Sequence, residues 1–130
     1  MFRQLWGGHS LVSSEVQSLV SRNDFTQAFS KVHRACIVYV YSPTCGACMS
    51  RTPTFNAMVK HLKPSLQKKV YAFDGSSNEA SALFEEMTGL QIHHFPMILL
   101  VSQKGTLMEY RKDIQTAKEG QKLLTYLMDH

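Results

Sequence analysis

The sequence predicts a single α/β domain, with a mixed central β-sheet flanked by helices on both faces in the order β-α-β-α-β-α-β-β-α. Three observations point there. Short β-branched and aromatic runs alternate with segments of helical apolar spacing as far as Gly89. The last two strand-like runs are separated only by a turn at Lys104-Gly105, which reads as a hairpin. The 130 residues are the size of one domain, and 44% hydrophobic content suffices for one core. Early alternation implies parallel strands joined by crossover helices, and the late hairpin adds antiparallel pairing.

Taken in order, Val16, Leu19 and Val20 mark a short first strand. Asn23 and Asp24 are helix-capping residues ahead of Phe25, Ala28, Phe29 and Val32, which share one helical face. Cys36-Ile37-Val38-Tyr39-Val40-Tyr41 is nearly all apolar and reads as a buried central strand. Ser42-Pro43-Thr44 ends it. Met49, Phe55, Met58, Val59 and Leu62 then give a helix an apolar face up to Lys63-Pro64, with Pro53 expected to kink it. Val70-Tyr71-Ala72-Phe73 is a strand ended by Asp74-Gly75. Ser77 or Asn78 caps a helix through Ala82, Leu83 and Met87, closed by Gly89. Met97–Val101 and residues 106–111 form the hairpin, and Thr116 caps a final helix with Leu123, Leu124 and Leu127 inward. Residues 1–13 are rich in Gly and Ser but carry Phe2, Leu5, Trp6, Leu11 and Val12. They read as an N-terminal extension on a domain of residues 14–130.

Charge and composition remove several function classes. The formal charge is +4, but Lys68-Lys69 and Arg111-Lys112 are only pairs and no run of five basic residues occurs. That is a solvated surface, not a nucleic-acid patch. No segment approaches the ~20 apolar residues of a membrane span. With no apolar stretch of signal-peptide length, the expected compartment is the cytoplasm, and a secretory or organellar location is the alternative. A monomer is expected, with a dimer through the N-terminal extension and its Trp6 as the alternative.

Three cysteines are too few for a disulfide scaffold, so a close pair reads as a working dithiol or a metal clip. Structural zinc needs four ligands, and no second Cys-x-x-Cys or spaced histidine pair accompanies Cys45 and Cys48. No metal is therefore expected. Cys36, at the start of the central strand, reads as an inert core thiol.

Cys45-Gly46-Ala47-Cys48 follows a buried strand and opens a helix. There, unpaired backbone N–H groups and the helix dipole favour negative charge. Disulfide exchange needs thiolate, and an unperturbed thiol near pKa ~8.5 is mostly protonated at neutral pH. Cys45, at the exposed helix end, is the expected nucleophile. Cys48, one turn inward, is placed to resolve the mixed disulfide. Each step is a thiolate displacing a thiolate, so no cofactor is needed.

Over residues 14–130 the chain resembles the thioredoxin superfamily. The resemblance rests on the strand leading into Cys45-Gly46-Ala47-Cys48, on Pro53 in the following helix, on Asp74, on Pro96 and on Lys104-Gly105. It implies a cis bond before Pro96, with Phe95 offering backbone groups to an extended substrate beside the dithiol. It also implies protein substrates and a redox-recycling partner. The chain departs from the family at Thr44 and Tyr41, which stand where tryptophans often flank the motif, at Lys112, where a glycine is common, and in two places nearer the chemistry. Gly46-Ala47 is neither of the usual dipeptides, in a family whose potentials span about −270 to −120 mV. Tyr39 stands where many members bury an acid thought to take the proton of the second cysteine, so slow resolution is expected. His94, beside Pro96, is read either as a stabiliser of the Cys45 thiolate or as a surface histidine. The leading functional expectation is a protein thiol–disulfide oxidoreductase. A binding module with slow or incidental redox chemistry is the alternative.

Overall fold

A computed structural model describes residues 11–130. Its elements are β1 (Gln17–Leu19), α1 (Arg22–Ala28), β2 (Cys36–Tyr41), α2 (Gly46–Lys60), α3 (Pro64–Gln67), β3 (Val70–Asp74), α4 (Asn78–Thr88), β4 (Met97–Val101), β5 (Leu107–Tyr110) and α5 (Ala117–Asp129). The five strands form one sheet in the order β1-β3-β2-β4-β5. β1, β3 and β2 run parallel, whereas β4 pairs antiparallel with both β2 and β5. This is the thioredoxin fold.

β2 is central, and its side chains alternate between two cores. Ile37, Tyr39 and Tyr41 face a core shared with Cys48, Phe55 and Met58 of α2 and with Leu124 and Leu127 of α5. Cys36, Val38 and Val40 face the other, with Phe25 of α1 and Phe84 of α4. Burial on both faces explains why the run is unbroken by polar residues. The dithiol therefore belongs to the α2/α5 side.

Local chemistry moves several boundaries. α1 is capped by Ser21, not by Asn23 or Asp24. The Ser21 hydroxyl accepts from Asp24 N, and the Asp24 carboxylate accepts from the backbone N–H groups of Ser21 and Val20, a capping box. Those N–H groups hold the Asp24 carboxyl below its usual range. α1 stops at Ala28, and the Ser30 hydroxyl donates to Gln27 O just beyond it. Val32 consequently leaves the helical face and is 81% exposed.

In α2 the buried face is Cys48, Thr52, Phe55, Met58 and Val59. Met49 lies one position round the helix from Cys48 and is 57% exposed, so it is not part of the inward face. The helix ends at Lys60, and Pro64 opens the separate short α3, where its missing N–H costs nothing. In α4, capped by Ser77, the buried anchor is Phe84; Ala82 is exposed, and Leu83 and Met87 are half-buried. Gly89 closes α4 at φ 74°, and Gly105 turns the hairpin at φ 93°, both left-handed conformations that favour glycine.

Trp6 and the first ten residues lie outside the described residues. Leu11 and Val12, assigned above to the extension, pack into the α2/α5 core. Asn56 of α2 pins them: its Oδ1 accepts from Ser13 N and its Nδ2 donates to Leu11 O. The packed domain thus starts before residue 14, because Val12 has an apolar seat that the composition around it obscures.

Candidate active site

Cys45 is the N-cap of α2, with an extended backbone (φ −85°, ψ 126°). Ser42 at the end of β2 sets it there, since Cys45 N donates to Ser42 O at 3.2 Å. Cys45 O then accepts the first helical bond from Met49 N. No acidic side chain occupies the first turn of α2, leaving its exposed amides to whatever anion approaches. The nearest such group is the Cys45 sulfur. The backbone amide of Cys48 above all, then the Cys48 thiol, the Ala47 amide and the Arg51 cation, hold the Cys45 thiol below its usual range against a partial desolvation.

Cys48 behaves oppositely. It is buried, its Sγ accepts from Ser42 N at 3.5 Å, and burial pushes its thiol up. The proximity of Cys45 pushes it further. A lowered outer thiol beside a raised inner one is an asymmetric dithiol. None of the three cysteines is bonded to another.

Across from the dithiol, the Phe95–Pro96 peptide bond is cis. Cys45 Sγ–H donates to Phe95 O at 3.7 Å. Pro96 is buried, and the Phe95 ring is wedged over Gly75, where a Cβ would meet it at 3.3 Å and Ile92 at 2.8 Å. Gly46 and Ala47 are exposed, and nothing lies within 4 Å of where a Gly46 side chain would begin. The structure thus brings together Cys45, Cys48, Gly46, Ala47, Phe95 and Pro96.

The thioredoxin family model matches residues 16–129. The chain belongs to the thioredoxin family. The solved J-Trx1 fragment of ERdj5 is similar in fold, with a TM-score of 0.61 at 20% identity, over 89% of this chain and 51% of that one. The chain thus spans about half the length of that structure. No curated protein matches the sequence.

Within this thioredoxin-family site, Tyr39 is neutral. Its hydroxyl pairs with Thr52 Oγ1 at 3.0 Å, both residues are buried, and its ring stacks on Phe55 at 3.9 Å. Burial raises the phenol above its usual range. Tyr39 therefore fills space beneath the dithiol without supplying a base. The His94 ring is engaged on both sides: its Nδ1 bonds Pro96 O at 3.1 Å and its Nε2 bonds Glu109 Oε2 of β5 at 2.8 Å. These two bonds tie the Pro96 turn to β5. Cys36 is fully buried, and desolvation pushes its thiol up to about 12.

Sequence reasoning missed Arg51, Asp113 and Thr52. Arg51 and Thr52 sit three and four residues after Cys48, where helical spacing puts them beside it, and that signal was available. Asp113 gave none.

These thiols make a pH prediction. Because Cys45 is lowered, its thiolate appears at lower pH than that of free cysteine, so alkylation by iodoacetamide should accelerate at correspondingly lower pH. Cys36 should stay unmodified until the protein unfolds. A pH–rate profile for Cys45 coinciding with that of glutathione would contradict this assignment.

Proposed function

We propose that this chain exchanges disulfides with protein substrates through Cys45 and Cys48. The supporting observation is the N-cap thiol of Cys45, lowered by helix amides and lying 3.7 Å from the Phe95 carbonyl in the cis-proline turn. The Cys45 thiolate attacks one sulfur of a substrate disulfide. That S–S bond breaks, a mixed disulfide forms, and one substrate thiolate leaves. Cys48 then loses its proton and attacks the Cys45 sulfur, expelling the second substrate thiolate. The substrate is reduced, the protein is oxidised to a Cys45–Cys48 disulfide, and a second dithiol partner must return it to the thiol form. Run backwards, the same steps oxidise a substrate.

Phe95 offers its backbone, and Gly46-Ala47 leaves room, for an extended substrate segment. The expected compartment remains the cytoplasm. A binding module with slow redox chemistry is the second reading, favoured by the neutral Tyr39–Thr52 pair beneath the dithiol. Reduction of insulin in the presence of dithiothreitol separates the two. Wild type should accelerate insulin precipitation and Cys45→Ser should not; equal rates for both would reject the exchange reading.

A further inference from the structure

We propose that Arg51 is a positioning residue for the dithiol, setting a positive charge behind the thiolates that disulfide exchange forms, with the Asp113 carboxylate that it bonds damping that charge. The proposal rests on Cys45 and Cys48 being the exchanging pair and names what tunes them. Arg51 follows Cys48 by three residues on α2, a spacing that places two side chains side by side on a helix. An unrestrained arginine would extend into water. Here its Nε and Nη2 both donate to Asp113 Oδ1, from the loop between β5 and α5, 62 residues away in sequence. Arg51 and Asp113 also close a cavity of about 10 Å³ with Tyr39, Phe55 and Ile114, so the pair lies over the tyrosine beneath the dithiol.

The charges facing this spot come from several elements. β2 contributes Tyr39, a neutral phenol. The β5–α5 loop contributes Asp113, and α2 contributes Arg51 and the two thiols. Among the described residues, Arg51 is a cation whose charge bears on both Cys45 and Cys48. Where other members of the fold use a buried acid to handle the second cysteine's proton, this chain has a cation that favours the thiolate left once that proton departs. Asp113 bonds the cation and partly offsets its charge. The two halves of one ion pair therefore act on the thiols with opposite sign.

That opposition is the test. Reduced full-length protein is alkylated with iodoacetamide at pH 7, and Cys45 modification is followed by tandem mass spectrometry, with circular dichroism confirming folded protein. Arg51→Gln should slow Cys45 alkylation about threefold, the scale of one partly screened charge. Arg51→Lys keeps the charge but loses the two-bond grip, and should stay close to wild type. Asp113→Asn should match wild type or exceed it. Equal slowing in Arg51→Gln and Asp113→Asn would mean that the pair only ties the loop to α2, overturning the proposal. So would an unchanged rate in Arg51→Gln, or a lysine variant as slow as the glutamine one. The assay contains no protein disulfide. A chain that fails to reduce insulin can still show the pattern, and one that reduces insulin can lack it.

Discussion

Replacing Cys48 with serine is expected to turn disulfide exchange into covalent capture. The first attack needs only Cys45, and the amides of Ala47 and Cys48 that favour its thiolate belong to the backbone, so they survive the substitution. Release needs a second thiolate, which must come from the protein when no reductant is added. A serine hydroxyl cannot displace a thiolate from a disulfide, and no other thiol can reach: Cys36 is fully buried among the residues of the opposite core. Mixed with insulin in the absence of added reductant, Cys48→Ser should therefore accumulate disulfide-linked adducts that disappear when dithiothreitol is supplied. Cys45→Ser/Cys48→Ser should form none. If Cys48→Ser turned over as wild type does, Cys48 would not be the resolving residue. If adducts were equally abundant in the double variant, the captured sulfur would not be Cys45.

The second large effect is on stability. Phe25 is fully buried and meets three aromatic rings edge-to-face: Phe29 at 5.7 Å, Phe73 at 5.1 Å and Phe84 at 6.4 Å between centroids. It joins α1, β3 and α4 into one apolar layer. Phe25→Ala removes the ring and leaves a cavity that these three elements cannot easily close, at a cost of about 3–5 kcal/mol. Against a total near ~5–15 kcal/mol, such a loss should pull the urea midpoint down sharply. The dithiol packs in the other core, so the fraction of Phe25→Ala that stays folded should keep the alkylation profile of Cys45. A stability loss below about 1 kcal/mol would show that this layer contributes far less than its packing implies.

How much of this was legible in the sequence depended on whether the determinant was local. β2 was readable to the residue because burial on both faces leaves a continuous apolar run bounded by Pro43. The helix start at Cys45 and the closure at Gly89 were equally local, and so was the Thr116 cap, which accepts from Glu119 N. Where two neighbours competed for one role, composition alone could not choose. Ser21 caps α1 because Asp24 can answer it three residues on, an advantage Asn23 lacks. Met49 shows how sensitive a helix phase is: one residue separates it from the buried Cys48. Long-range pairings were invisible. His94 turns to Glu109 because β5 lies beside the Pro96 turn in space, and Arg51 meets Asp113 only after the whole sheet has formed. Those pairings decide which residues surround the thiols.

The most direct measurement is a single turnover of reduced protein with a disulfide-bonded peptide, quenched with acid within milliseconds to seconds and mapped by tandem mass spectrometry. The account predicts one transient intermediate, with peptide sulfur joined to Cys45, decaying into a Cys45–Cys48 disulfide while Cys36 remains a thiol. Peptide joined first to Cys48 or Cys36, or a dithiol that stays reduced while the peptide disulfide persists, would contradict it.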